Sequence, residues 1–205
     1  MIRSGLIVVF ATAWTALLSP AVASDFCADT AQSAKVQAFY AEHPGTMPVI
    51  AARRLGLAEA VVVSGLASGQ SASASGTTFA DVWSAMSKWN RANFLIMKGD
   101  NVFEISSAVG TGKPSSTSKY YNISYDQPLR GHLRPDQYAS IYAVDMPGES
   151  AERTVRGVLF YDQDGASVFG AFFSGEGPDP APGEIRKFDA VMNLVKASPS
   201  FGPKR

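Results

Sequence analysis

The stretch VRGVLFYDQDGASVFGAFFS, residues 155–174, decides the fold class of this chain. Two runs rich in β-branched and aromatic residues flank a polar turn, Asp162 to Gly165. Such runs on either side of a glycine-containing turn are typical of two neighbouring antiparallel strands. The carboxylates of Asp162 and Asp164 are explained by the turn and do not indicate an acid–base pair. The stretch therefore predicts an antiparallel hairpin.

Other segments after residue 92 have the same two-residue period and predict further strands. Gly99-Asp100-Asn101 is a tight-turn signal between the first two of them. Together with the hairpin they predict a meander of about six strands, one face of which is covered by a preceding helix. The four segments are NFLIMK (93–98), VFEIS (102–106), KYYNIS (119–124) and YASIYAVD (138–145).

Helical patterns surround the predicted sheet. Three short helices are predicted between residues 30 and 66, a helix with a heavy aromatic stripe over 77–89, and a last helix over 184–197. ASGQSASASG, residues 67–76, holds only small and polar side chains and predicts a linker. The fold class is therefore α+β: a small N-terminal helical cap, then a helix-covered twisted antiparallel sheet and a C-terminal helix.

The N-terminus has the pattern of a secretory signal peptide. Arg3 precedes an apolar run from Gly5 to Leu18, and Ala21-Val22-Ala23 forms a small-residue cleavage site. The alternative is an uncleaved anchor, although the run is short for a membrane span. The predicted divisions are a signal peptide (1–23), a helical segment (24–66), the linker (67–76) and an α+β domain (77–205). The predicted location is periplasmic or secreted.

Composition excludes several classes of function. The 205 residues carry 18 basic and 18 acidic side chains, so no basic excess indicates nucleic-acid binding. A hydrophobic content of 46% predicts a globular core. Cys27 is the only cysteine and cannot form an internal disulfide or a two-thiol metal or redox motif. No nucleophile elbow, covalent haem-attachment motif or zinc-protease motif occurs, so a binding protein is favoured over an enzyme.

Several segments, in this order and spacing, resemble the bacterial haem-utilisation carriers of the ChuX/HutX group. The likeness covers nearly all of residues 35–197, and GHLR (131–134) and VLFYDQDG (158–165) are its most specific parts. It implies a non-covalent haem carrier with a twisted antiparallel sheet, commonly a homodimer. The segments that carry it are HPGTMPVIAARRLGLAEAVVVSGL (43–66), FADVWSAMSKW (79–89), YYN (120–122), LRGHLRPDQYASIYAVD (129–145) and VLFYDQDGASVFGAFFSG (158–175).

The resemblance also implies which residues contact haem. The family histidine linked to haem matches His132, and the place of a second family histidine is taken by Met97, with Lys98 beside it. A histidine and a methionine together can hold haem iron. The chemistry of haem also requires aromatic or apolar walls and cations for its propionates. The candidates are the rings of Tyr120 and Tyr121 and the basic side chains of Lys119, Arg130 and Arg134.

Other interpretations remain open at this level. His132 can be a structural hydrogen-bonding residue, and Met97 can be ordinary core packing. His43, before Pro44-Gly45, is assigned to the end of a helix. The leading function is an exported haem carrier. The alternatives are a haem-degrading enzyme on the same scaffold, and an interaction module that keeps the fold without binding haem.

Overall fold

The computed structural model describes residues 26–99, 101–150, 153–173 and 182–201, so the predicted signal peptide lies outside the described residues. Within those ranges, no helix has both the length and the apolar character needed to cross a membrane. The helices are α1 (Thr30–Glu42), α2 (Pro48–Leu55), α3 (Glu59–Ser64), α4 (Phe79–Met86) and α5 (Pro182–Ala197). The strands are β1 (Ser71–Ser75), β2 (Ala92–Lys98), β3 (Asn101–Ser107), β4 (Gly112–Pro114), β5 (Tyr121–Ile123), β6 (His132–Leu133), β7 (Tyr138–Pro147), β8 (Thr154–Asp162) and β9 (Ser167–Phe173).

The main sheet has six antiparallel strands in the order β1-β7-β8-β9-β2-β3, which confirms the α+β prediction. The predicted hairpin is present within residues 155–173, because β8 pairs with β9 from Gly157 opposite Phe172 to Tyr161 opposite Ser167. The sheet is not a simple meander. β2 lies between β3 and β9, so the first hairpin joins the last strand through a pairing between distant parts of the chain.

The linker prediction for residues 67–76 is wrong over half of its length. Ser71–Ser75 is the edge strand β1 and pairs with β7, and the Ser75 N–H also donates to the Pro199 carbonyl at 2.8 Å. Serine and alanine have little intrinsic preference for strands, so composition predicted a flexible segment. Backbone hydrogen bonds to β7 and the burial of Ala74 override that weak preference.

The segment KYYNIS is a strand but does not belong to the main sheet. It contributes β5 to a separate sheet of three short strands, in the order β4-β5-β6. Alternation along a segment predicts which side chains share a face, but it does not specify the partner strand.

One face of the main sheet is covered by α4, α5 and the small sheet. The predicted aromatic stripe points into this first core, where Phe79, Trp83 and Met86 of α4 are almost fully buried. Trp89 follows the end of α4 but is buried in the same core, edge-on to Phe173 at 5.3 Å between ring centroids. The bulk of the aromatic residues therefore forms structural core.

The other face carries the helical cap, α1 to α3. Its core contains a buried carboxyl group, because the side chain of Glu59 at the start of α3 is only 8% exposed. The Tyr161 hydroxyl donates to Glu59 Oε1 at 3.1 Å, and burial raises the pKa of Glu59 to about 7. Burial, with the charge of Glu59, also raises the pKa of the Tyr40 hydroxyl. The contact between the cap and the main sheet therefore contains the buried carboxyl group of Glu59, which is protonated in mildly acidic conditions.

We predict that the free energy of unfolding falls as the pH rises from about 4.5 to about 7, because the unfolded chain ionises Glu59 before the folded chain does. The loss from this one group is on the order of 3 kcal/mol. In Glu59→Gln this pH-dependent loss in the free energy of unfolding is absent, and the hydrogen bond from Tyr161 can be kept. Urea unfolding at several pH values measures the difference between the two proteins.

The matched control is Glu42→Gln, at the exposed end of α1. It should follow the wild-type pH profile. Parallel profiles for Glu59→Gln and the wild type would contradict the assignment of this pH dependence to Glu59.

Candidate functional site

The small sheet brings most of the predicted site residues together. Strand alternation turns Tyr121 and Ile123 of β5 into the first core, so Tyr120 and Asn122 face outwards. On β6, Leu133 packs against the same core and the neighbouring His132 is exposed. The register places Asn122 directly opposite His132. The core therefore holds the sheet from beneath and leaves polar side chains on its outer face.

His132 is held by two neighbours on that outer face. Its Nδ1 lies 2.7 Å from Oδ1 of Asn122. The ring of Tyr120 stands edge-on to the imidazole, with 5.9 Å between centroids. The ring is thus oriented by a hydrogen bond and an aromatic contact while it stays accessible, which suits a ligand better than a buried structural histidine.

A charged cluster lies next to the histidine. Arg134 donates from Nε and Nη2 to the two carboxylate oxygens of Asp136 at 2.8 and 2.9 Å, and its guanidinium lies 5.4 Å from the centre of the Tyr120 ring. Lys119 Nζ lies 3.5 Å from the same carboxylate. The hydrogen bond from Arg134 holds the pKa of Asp136 well below its usual range. Two cations and one carboxylate leave this cluster with a net positive charge.

An open groove of about 470 Å³ lies between the small sheet and the β8–β9 turn. Leu133, Val168 and Tyr138 supply its apolar surface, and burial raises the pKa of Tyr138 to about 12. The other lining residues are polar or charged: His132, Arg134, Gln137, Asp162, Gln163 and Asp164. The groove can therefore accept a partly apolar ligand that keeps one side in contact with solvent.

The prediction that Tyr121 stacks on a macrocycle does not fit the structure. Its side chain is 6% exposed and stands edge-on to Phe79, with ring centroids 5.1 Å apart. Strand alternation separates the two adjacent tyrosines, and only Tyr120 is available at the surface, with 42% of its side chain exposed.

The structure does not bring Met97 to His132. Val168 of β9 lines the groove beside His132, whereas Ser167 lines the crevice that holds Met97 on the cap side of the sheet. That crevice has a volume of about 10 Å³, room for about one water molecule and not for a tetrapyrrole. The two side chains lie on opposite faces of the main sheet, so the predicted His–Met pair on one iron is not formed within the chain.

Lys98 is not among the residues that line the groove. It is exposed at the end of β2, opposite Asn101 in the β2–β3 hairpin. Residues that the sequence analysis did not single out complete the outer face, namely Asn122 and Asp136. The sequence feature that could have identified Asn122 is its position two residues after Tyr120, on the same face of a predicted strand.

The remaining residues fit a haem group bound through one protein ligand. His132 offers an imidazole nitrogen, the groove offers apolar contacts, and Arg134 and Lys119 offer cations for carboxylates. Among the described residues, His, Cys, Asp and Glu form no group of three or more that could hold a bare metal ion. A single imidazole beside apolar contacts and cations for carboxylates suits iron that is held in a macrocycle.

The family model "Haem utilisation ChuX/HutX" matches residues 72–191, more than half of the chain. The chain belongs to this family. The match covers the main sheet from β1, the whole small sheet with His132, and much of α5.

Solved structures share the fold. A protein from Agrobacterium tumefaciens is 26% identical, with a TM-score of 0.68 over 80% of this chain and 92% of its own length. The haem-binding protein ChuX is 18% identical, with a TM-score of 0.67 over 78% and 99%. The haem-binding protein PhuS from Pseudomonas aeruginosa is 14% identical, with a TM-score of 0.62 over 85% of this chain but only 49% of its own. The comparison with curated proteins finds no significant match.

Proposed function

We propose that this protein is an exported, non-covalent haem carrier in which His132 is the axial ligand. The observation that carries the proposal is an exposed imidazole, fixed by Asn122 at 2.7 Å, at the mouth of a groove beside a cationic cluster. Membership of a haem-utilisation family supports haem as the ligand. When bound, haem supplies the iron and its chemistry, and the chain supplies one nitrogen ligand, apolar contacts and positive charge.

An open groove favours a carrier over an enzyme. The groove is bordered on one side by the small sheet and on the other by the Asp162–Gly165 turn, and His132 at its edge is exposed. A ligand held by one residue at an exposed edge can be handed on to another protein. The relevant alternative is nonetheless an enzyme, because ChuS, described as a haem-degrading enzyme from Escherichia coli, shares the fold at 15% identity and a TM-score of 0.60.

A homodimer is the second part of the proposal. β3 is an edge strand of the main sheet, and its Val102 and Phe103 side chains are 51% and 54% exposed. An exposed apolar edge strand is a template for pairing with another chain. PhuS and ChuS are each about twice the length that this chain covers, so their chains have room for two such units. We assign the partner of β3 to a second copy of this protein.

Export is the third part. The support is the order of Arg3, the apolar run from Gly5 to Leu18 and the small residues Ala21 to Ala23, which is the order of a cleavable signal peptide. A carrier that meets haem outside the cytoplasm would need such a segment. Haem binding and export are independent claims, and each has its own test.

Titration of the wild-type protein with haemin should give a saturable Soret shift, and His132→Ala should weaken binding by more than about tenfold because the axial bond is lost. His43→Ala is the matched control, since His43 is the other of the two histidines and lies at the exposed end of α1. A flat wild-type titration would favour an interaction module. Loss of the Soret band with formation of an open-chain product, once a reductant is added, would favour the degrading enzyme.

Light scattering after size exclusion should give the mass of a dimer for the wild type and of a monomer for Phe103→Glu, because a charge on the β3 edge opposes pairing. Tyr125→Glu places the same charge at a residue that is 62% exposed in the loop after β5. That variant should remain dimeric. Equal masses for all three proteins would contradict a β3 interface.

Expression of the full chain in a Gram-negative host should give a periplasmic protein whose N-terminal residue, by mass spectrometry, is Ser24. Replacement of Val8 and Val9 by arginine interrupts the apolar run and should leave an uncleaved protein in the cytoplasm. Replacement of the exposed Ala31 and Ala34 on α1, beyond the cleavage site, by arginine should leave processing unchanged. An intact N-terminus in the wild-type protein would contradict export by cleavage.

A further inference from the structure

The contact between Asn122 and His132 determines which imidazole nitrogen carries the proton. An amide oxygen has lone pairs but no hydrogen, so Oδ1 of Asn122 can only accept a hydrogen bond. Its partner at 2.7 Å is Nδ1 of His132, which must therefore donate. In a neutral imidazole the proton on Nδ1 leaves Nε2 with its lone pair free. The contact thus selects the tautomer that can bind iron through Nε2.

Asn122 is the better anchored member of the pair. The residues on either side of it, Tyr121 and Ile123, are 6% and 2% exposed in the first core, and the Ile123 N–H donates to the Gly131 carbonyl at 3.0 Å. β6, which carries His132, has only two residues. The core therefore fixes the backbone of Asn122, and the hydrogen bond between Asn122 and His132 then fixes the orientation of the more exposed imidazole.

We propose that Asn122 is the positioning residue of the haem site: it holds a proton on Nδ1 of His132, orients the ring across the β5–β6 pair, and presents Nε2 to the iron. This assignment rests on the proposed haem-carrier function. Asn122 itself does not contact the iron, and its influence reaches the iron through the basicity and orientation of the imidazole. The effect of Asn122 on the tautomer of His132, however, does not depend on haem and can be measured in the haem-free protein.

The first test uses the haem-free protein. Two-bond ¹H–¹⁵N correlation spectra at about pH 8.5 distinguish the two neutral tautomers of an imidazole. His43, the other of only two histidines, is the internal reference. We expect His132 to carry its proton on Nδ1 in the wild type and in Asn122→Asp, which keeps an oxygen acceptor, and to shift towards the Nε2–H form in Asn122→Leu. A wild-type His132 protonated on Nε2, or an unchanged tautomer in Asn122→Leu, would overturn the assignment.

The second test uses the haem complex. Asn122→Leu should weaken haemin binding by roughly tenfold or more and raise the reduction potential of the iron, because the imidazole becomes a poorer electron donor without its acceptor. Asn122→Asp should retain binding and lower the potential, because an anionic acceptor makes the imidazole more basic. A simple packing defect would not shift the potential in opposite directions in the two variants, so equal potentials would overturn the positioning role.

The two proposals fail in distinguishable ways. If His132→Ala leaves haemin binding intact, the axial role of His132 fails, whatever tautomer the spectra report. If His132→Ala abolishes binding but neither the tautomer of His132 nor the reduction potential of the iron changes in the Asn122 variants, the carrier proposal stands and the positioning role is wrong. Circular dichroism of both Asn122 variants checks that each protein has folded, and the potential of Asn122→Asp tests the positioning role by itself if Asn122→Leu does not fold.

Discussion

The packing around Phe79 is the contact on which the rest of the structure depends. This one ring, at the start of α4, touches Trp83 of its own helix, Tyr121 of the small sheet, and Tyr138 and Phe160 of the main sheet, with centroids between 5.1 and 5.7 Å apart. Three layers therefore meet at a single aromatic side chain. Offset and edge-on contacts of this kind stabilise a core beyond the area that they bury.

The position of the candidate site follows from that core. The burial of Tyr121 and Leu133 in the first core fixes the position of the small sheet. Strand alternation then exposes the neighbouring residues Tyr120, Asn122 and His132. A binding surface built on such short strands has little rigidity of its own. Its rigidity comes from the packed aromatic residues beneath it, so the site is supported by the same contacts that stabilise the fold.

The two faces of the main sheet carry different chemical groups. The face with the small sheet carries the exposed imidazole and the cationic cluster, whereas the face under the cap encloses Glu59 and Met97 around a crevice of only about 10 Å³. The buried carboxyl of Glu59 couples cap docking to pH without contact with the groove. The candidate haem site and the buried carboxyl of Glu59 therefore lie on opposite sides of the sheet.

Local patterns in the sequence determined the class of fold, the helices and most of the strands, because hydrophobic period and turn residues report directly on secondary structure. The candidate His132 came from the resemblance to haem-utilisation carriers and not from those patterns. Only the tertiary structure decided that residues 71–75 form an edge strand, that Tyr121 is core while Tyr120 is surface, and that Met97 and His132 lie on opposite faces. Those outcomes depend on strand pairing between distant segments, which a local pattern does not encode. The cross-strand contact of Asn122 with His132 is of the same kind, since ten residues separate the two along the chain.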